Sequence, residues 1–389
     1  MTARTRWRLR TVVAGTVAAT CAALSLSACS SGSSNGVTTL TLWDPGLLGH
    51  TVNGQQSKSS FIYNAVTRYE KTHPKVKIDI TETSSDITAS SNQFRAASLA
   101  HNGPDLRVGF TGGNTLSYKP FLEPLNHVFT PAERAQIKGW QTVTAGYSDN
   151  GKILALPYGA GSYFLIFYNK KMMAKAGVDM SKPPATWQDM LALGRKVKAA
   201  GENPFWVTNQ EGYVGAWVIA ALVGAELGPK AFTDMYSHKT SIDSPAMVKA
   251  YQAFANLYKS GLTNPDAGSV GNGENLSGFV QGKGAMYFSG GWDNHDVYKA
   301  MGNNVGAFPI PPLAGSAHPN IMAGGPNIAV SVTAYSSHQA QANDFLKFLA
   351  KPSTLDLYVK LAQTEPSNNI HANPAIITNP LLRAQAQMV

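Results

Sequence analysis

Apolar and polar residues alternate from Thr39 to Trp43, with Leu40 and Leu42 set between threonines, and a period of two marks a half-buried strand. Phe61, Ile62, Ala65, Val66 and Tyr69 then recur at helical spacing. His73-Pro74 closes that helix, because the residue before a proline is pushed out of the helical region. Val76, Ile78 and Ile80 predict a second strand, and residues 106–110 a third, after the turn Gly103-Pro104-Asp105. The rhythm restarts after Gly151. Residues 153–156 read as a strand, and 163–169 form a continuous apolar run suited to burial on both faces. Thr186-Trp187-Gln188-Asp189, behind Pro183-Pro184, resembles a capping box with Asp in place of Glu, and Met190, Leu191 and Val197 make the inward stripe. Ser244-Pro245 opens a further helix, for which the pattern places Val248, Tyr251, Ala255 and Tyr258 inside and Gly261 at the stop. Strands follow at 285–288, 305–310 and 327–332, then a helix carrying Ala342, Phe345, Leu346 and Leu349 inward. This alternation predicts the α/β class with largely parallel sheets.

The amino terminus does not belong to that pattern. Arg4, Arg6, Arg8 and Arg10 precede an uncharged apolar run over 11–28, the layout of a secretory leader. A run of this length, diluted by Thr, Ser and Gly, is marginal for crossing about 30 Å of hydrocarbon. Leu26-Ser27-Ala28-Cys29 matches a bacterial lipobox, in which small residues admit the peptidase and the thiol accepts the lipid. Ser30-Ser31-Gly32-Ser33-Ser34 behind it reads as a flexible tether. The arginines form no twin pair, so the general secretion route is expected.

That leader also revises the charge. The 389 residues carry a formal +9, which by itself would invite nucleic acid or anionic lipid as partners. Cleavage before Cys29 removes four arginines and no acid, leaving +5. Charged residues are 14% of the chain, too few for a coiled coil or a nucleic-acid scaffold, and no nucleic-acid partner is expected. Cys21 leaves with the leader and Cys29 takes lipid, so the mature chain forms no disulfide.

No phosphate-binding glycine loop, dinucleotide fingerprint, nucleophile elbow or His-Glu-x-x-His spacing occurs in the sequence, so no cofactor is expected. Asp293, His295 and Asp296 cluster at a helix start, where capping is the plainer reading than a metal site. Residues 264–274 lack the spacing of a calcium loop, and no metal is expected. What does recur is an aromatic beside a carboxylate or amide just after a strand. The instances are Trp43-Asp44, Asn209-Gln210-Glu211-Gly212-Tyr213 and Gly290-Gly291-Trp292-Asp293, joined by Thr111-Gly112-Gly113-Asn114. In open α/β sheets ligands bind outside the carboxyl ends of strands. A ring covers the C–H face of a sugar while ionised oxygens accept its hydroxyl hydrogen bonds. Any single pair reads more simply as core packing with helix capping; three such pairs in two halves of the chain favour a binding site.

The order of these segments resembles family 1 of the extracellular solute-binding proteins, the carbohydrate receptors of bacterial ABC importers. The resemblance rests on the lipobox, Leu40-Thr41-Leu42-Trp43, Tyr69-Glu70-Lys71-Thr72-His73-Pro74, Asn102-Gly103-Pro104-Asp105 and Gly151-Lys152 leading into Leu156-Pro157. It continues through Phe167-Tyr168-Asn169-Lys170, Pro184-Ala185-Thr186-Trp187 and Gly282-Lys283-Gly284-Ala285-Met286, spanning about 37–365. It implies a type II periplasmic-binding-protein fold of two α/β lobes joined by a hinge, with a ligand cleft between them. The expected boundaries are 1–28 for the leader and 29–36 for the linker after lipidated Cys29. Residues 37–158 and 324–338 are then expected in the first lobe, and 159–323 and 339–389 in the second.

The same resemblance implies the site. Asn209 to Trp217 is similar to the second-lobe segment of maltose-binding relatives, in which Glu and Tyr touch sugar, here Glu211 and Tyr213 with Trp217 beside them. Trp292 matches a stacking tryptophan, and Trp43 and Asp44 match a first-lobe contact. Gly324-Gly325 matches a hinge pair, with Gly325 facing ligand. With Gly112, Asn114, Asn209 and Asp293 from strand ends, these are the expected ligand-binding residues. The chain departs from the family at 364–369, where Thr-Glu-Pro-Ser-Asn-Asn stands for Gly-x-x-Pro, and it stops at Val389, a helix or two earlier than relatives. The implied protein is a monomeric, non-enzymatic sugar receptor, anchored outside the cytoplasm through Cys29 and serving a membrane permease. Two alternatives stay open. One is a receptor for glycerol phosphate, for which Arg95 and Arg107 are the nearest first-lobe cations. The other is a secreted glycan hydrolase using Asp44 and Glu211 from opposite walls.

Overall fold

Leu40 and Leu42, the apolar half of the first alternation, are fully buried, and they lie on strand β1 (Thr38–Asp44). The computed structural model describes residues 36–49, 51–52, 55–147, 150–159, 163–362 and 374–386. The leader, Cys29 and the departing segment 364–369 lie outside the described residues. After β1 the strands are β2 (Thr51–Val52), β3 (Gln55–Gln56), β4 (Val76–Glu82), β5 (Leu106–Phe110) and β6 (Leu156–Tyr158). They continue as β7 (Phe164–Asn169), β8 (Phe205–Trp206), β9 (Met286–Gly290), β10 (Val305–Pro309) and β11 (Ile328–Val332). Residues 153–155, expected in a strand, precede β6; Ile153 makes only an isolated bridge to Thr144.

Two main sheets result, one in the order β4-β1-β5-β11-β6 and the other β10-β7-β9-β8. Largely parallel sheets were expected, and that expectation is corrected. Only β1–β4, β1–β5 and β8–β9 run parallel, while β11 is antiparallel to β5 and β6, and β7 to β9 and β10. The reason is connectivity: β7 and β11 are the first strands after the chain has changed sheets, and each enters from the opposite end. Each keeps the apolar run expected of a strand covered on both faces, with all five residues of β11 buried.

The chain changes sheets between β6 and β7 and again between β10 and β11. The two passages are tied to the sheets they join. The Phe164 amide donates to the Ala323 carbonyl at 3.0 Å, and the Thr111 amide to the Asn327 carbonyl at 2.9 Å. Gly324 and Gly325, at φ 135° and 129°, stand between these ties in a backbone region that favours glycine.

Each sheet has its own core. Leu40, Leu42, Ile62, Tyr69, Leu106, Val108 and Val330 form the first, with the helix Phe61–Thr72 delivering all five stripe residues to it. Ile166, Trp187, Phe205, Met286, Phe288 and Phe308 form the centre of the second. The helix Trp187–Ala199 has the capping box its sequence announced, with the Thr186 hydroxyl accepting from the Asp189 amide and the Asp189 carboxylate accepting from the Thr186 amide. The helix Tyr213–Tyr236 is long and apolar enough to cross a membrane, yet it is mostly buried in the second core and breaks at Gly228-Pro229.

Two expectations are corrected here. The helices Gln339–Leu349 and Pro352–Ala362 had been assigned to the second lobe with the rest of 339–389. Instead Ala342, Phe345, Leu346, Leu349, Leu355 and Tyr358 lie in the first core, Phe345 edge-on to Tyr69 at 5.0 Å. Of the described residues beyond them, the helix Pro380–Ala386 joins the second sheet, where Leu381 packs with Val305 and the Asn379 carboxamide donates to the Asn294 carbonyl. In the helix Pro245–Lys259 the buried residues are Ala246, Met247, Ala250, Phe254 and Leu257. Val248 and Tyr251, expected inside, are 47% and 59% exposed, so the inward stripe is displaced by one residue.

Candidate functional site

Of the first-lobe candidates, Asp44 turns inward. Asp44 ends β1 and is 1% exposed; its carboxylate accepts from the backbone amides of Leu47 at 2.8 Å and Leu48 at 3.1 Å. Burial pushes its carboxyl up to about 6, against the opposing pull of amide hydrogen bonds from Leu47, Leu48, Gly49 and Gly46. The chain folds back over this carboxylate after the strand, so it serves the turn and is not presented to a ligand. Trp43 packs beside Phe94, Tyr118, Leu122 and Leu154 on the other face of the sheet. Asn114 accepts from the Arg107 guanidinium at 2.8 Å and the Phe110 amide at 3.1 Å, and donates to Ser91 at 3.2 Å, so its carboxamide is fully engaged within the wall. Gly112, at φ 64°, turns the chain from β5 into the short helix Gly113–Leu116.

Beneath that turn lies Arg107, which is 5% exposed. Its guanidinium is 4.7 Å from the ring centroids of both Phe94 and Tyr118, and it pairs with no carboxylate among the described residues. Burial lowers its pKa to about 10. Gly109 makes room for it, since a Cβ there would stand 2.7 Å from Nη1.

The second-lobe candidates divide in two. Asn209 accepts from the Gly215 amide at 2.8 Å and fastens the start of the helix Tyr213–Tyr236. Glu211 is exposed and accepts from the Asn272 amide at 2.9 Å, bridging to the 271–272 loop. Asp293 does not cap the helix Asn294–Met301, as had been expected; its carboxylate accepts from the hydroxyls of Tyr287 at 3.0 Å and Ser289 at 2.5 Å. No group of three or more potential metal-binding side chains occurs among the described residues.

The aromatics, by contrast, gather. Tyr213 and Trp217, one helical turn apart, are nearly parallel with centroids 6.3 Å apart. Trp292 meets Trp217 edge-on at 5.0 Å, and Phe164 contacts Trp217 at 6.0 Å and Trp292 at 6.2 Å. The Trp292 ring lies over Gly290, where a Cβ would stand 2.2 Å from it, so a side chain at 290 would displace the ring. Tyr213 is 43% exposed, and Trp217, Trp292 and Phe164 are half-buried. Phe164 was not among the expected site residues. Its apolar run announced a strand, but nothing local told that its first residue would stop short of the core, beside the passage to the first sheet.

Burial pushes the Asp293 carboxyl up to about 6, from an ordinary value near 4. Its stabilising contribution is therefore full below about pH 4 and disappears as pH rises through about 6, leaving a penalty of about 3 kcal/mol at most. The variant Asp293→Asn is expected to melt higher than the native chain at pH 7.5. Its melting temperature should also fall less steeply between pH 4 and 6, retaining only the share due to Asp44. A lower melting temperature at pH 7.5 would show that the ionised carboxylate is what the two hydroxyls require.

Residues 53–354 match the family described as bacterial extracellular solute-binding protein. The sn-glycerol-3-phosphate-binding periplasmic protein of Escherichia coli K12 is 28% identical over 346 residues, covering 86% of this chain and 75% of that protein. Among solved structures, one from work on xylan utilization by Caldanaerobius polysaccharolyticus superposes with a TM-score of 0.74 at 23% identity, covering 90% of this chain and 86% of that one. A chitin oligosaccharide binding protein superposes equally well, with a TM-score of 0.74 at 19% identity and the same coverage of 90% and 86%. These likenesses establish the fold.

Proposed function

This chain belongs to the bacterial extracellular solute-binding protein family, and from that premise we propose that it is the substrate-binding lipoprotein of an ABC importer, holding a di- or oligosaccharide between its two lobes. The observation that carries the reading is the platform of Phe164, Tyr213, Trp217 and Trp292. Four rings kept partly in water beside the passage between sheets are costly to leave uncovered, and they suit the apolar faces of sugar rings. Lobes that each contribute contacts favour the closed state once ligand is present, and that state would be recognised by the permease. Micromolar binding needs about −8 kcal/mol, within reach of two stacked rings and several hydrogen bonds in an enclosed site. Lipidation of Cys29 would hold this monomeric, extracytoplasmic receptor at the membrane. A hydrolase reading is disfavoured by Asp44, whose carboxylate is held by backbone amides and is not free to meet Glu211 across a glycosidic bond.

A second reading, an anionic ligand such as glycerol phosphate, is favoured by Arg107, a buried cation without a carboxylate partner among the described residues, together with the Escherichia coli relative. Thermal-shift screening against xylo- and chito-oligosaccharides and sn-glycerol 3-phosphate separates the two. A rise in melting temperature with a sugar is the expected result; a response to glycerol phosphate alone would replace the first reading with the second.

A further inference from the structure

Three non-glycine residues among those described have positive φ: His101 at 52°, Tyr147 at 49° and His238 at 60°. The two histidines have an ordinary explanation. His101 follows the helix Ile87–Leu99 and donates its amide to Ser98, and His238 follows Tyr213–Tyr236 and donates to Met235, closing helix ends where the left-handed conformation is common. Tyr147 makes the same kind of bond, its amide donating to the Thr144 carbonyl at 2.9 Å, but it closes a short turn and not a helix of several turns. It ends a three-residue turn, Ala145–Tyr147, directly after Gly146, which is itself left-handed at φ 76°. A tyrosine in this region is a strained choice where glycine or asparagine would be relaxed.

The strain is imposed from both sides. The Ala145 amide donates to the Lys152 carbonyl and the Leu154 amide to Val143, each at 2.9 Å, while the Gly112 amide donates to Thr142 at 2.8 Å. This frame sets the half-buried ring against the first-lobe turn. The Tyr147 hydroxyl lies 3.9 Å from where a Cβ on Gly112 would stand, and no hydrogen-bond partner holds it among the described residues. Gly112 and the exposed Gly113 carry no side chain to cover it. The next residue back, Thr111, is bonded to Asn327, and the platform residue Phe164 is bonded to Ala323. Those two anchors are four residues apart, at most about 14 Å of extended chain, so the Gly112 turn and the aromatic platform stand at opposite ends of one short passage.

We propose that Tyr147 is the ligand contact of the first lobe, its free hydroxyl meeting a hydroxyl or oxyanion of the ligand while the Trp217–Trp292 platform covers the opposite side. This rests on the receptor reading above, and it supplies a polar first-lobe contact in place of Asp44 and Asn114, whose polar groups are engaged within the protein. A phenol both donates and accepts, so it discriminates for polar ligands with a hydroxyl pattern and against apolar ones of the same shape.

The test compares Tyr147→Gly and Tyr147→Phe with the native chain by thermal melting and by calorimetric titration. The probe is whichever of xylotriose, chitotriose or sn-glycerol 3-phosphate binds the native protein most tightly. Relief of the left-handed strain in Tyr147→Gly, less the entropy a glycine adds to the unfolded chain, is expected to raise the melting temperature by about 1–3 °C while weakening binding about 10-fold or more. Tyr147→Phe should melt like the native chain and bind several-fold more weakly. A lower melting temperature for Tyr147→Gly would overturn the proposal, since the ring would then be part of the wall. Unchanged affinity in both variants would overturn it as well. Binding of glycerol phosphate in preference to both sugars would displace the sugar reading, and the same variants would then decide Tyr147 with that ligand.

Discussion

Replacing Trp292 with alanine is expected to weaken sugar binding by 10-fold or more. The ring has two jobs that no neighbour can assume. The ring is half-buried and lies over Gly290, and in the sugar reading its exposed part stacks on the ligand, a contact worth about 1–3 kcal/mol. It also meets Trp217 at 5.0 Å and Phe164 at 6.2 Å, both at steep angles, so its removal lets those rings shift from the position that makes a single platform. Because the side chain is half-buried, the melting temperature of the free protein should fall only modestly. Titration calorimetry with the best-binding oligosaccharide measures the effect directly. An unchanged dissociation constant would remove Trp292 from the site and with it the main support for the sugar reading.

Replacing Phe345 with alanine is expected to cost about 3–5 kcal/mol of stability, because the side chain is fully buried and its neighbours cannot close the space it leaves. The location of the loss is as informative as its size. Phe345 packs edge-on to Tyr69, whose hydroxyl donates to Asp344 at 2.8 Å, so the helix Gln339–Leu349 is fastened to Phe61–Thr72 by both apolar and polar contacts. Hydrogen exchange should therefore quicken in β1, β5 and the helix Phe61–Thr72 while β7 and β9 keep their protection. Equal loss of protection in the second sheet would mean that the two cores open as one unit.

The legible part of the candidate site was its aromatic half. Trp292, which follows β9, and Tyr213 and Trp217, which open the helix after β8, are large and costly to expose, and the structure brings them together with Phe164. The polar half was not legible. Asp44 and Asp293 occupy similar positions after strands, yet one carboxylate collects backbone amides and the other collects two hydroxyls. A carboxylate is satisfied by whichever donors fold over it, and those donors came from residues 46–49 in one case and from Tyr287 and Ser289 in the other. Tyr147 escaped notice for a different reason. Its distinction is a backbone angle forced by hydrogen bonds to residues before and after its turn, and no residue pattern announces such an angle.

The sequence by itself determined the period of most of the elements that build the two cores, and the aromatic identity of the residues near several strand ends. These are local properties, set by spacing and side-chain type. Which face of an element meets which core was decided only by the tertiary structure. In the helix Pro245–Lys259 the stripes 247/250/254/257 and 248/251/255/258 have the same spacing, and both contain large apolar residues. Packing against the helix Tyr213–Tyr236 chose the first and left Tyr251 in water. In the same way, the stripe Ala342, Phe345, Leu346 and Leu349 announced a buried helix but not its partner. The choice of the first core over the second depends on which apolar surface is within reach once the chain has passed through β11, and periodicity carries no record of that surface.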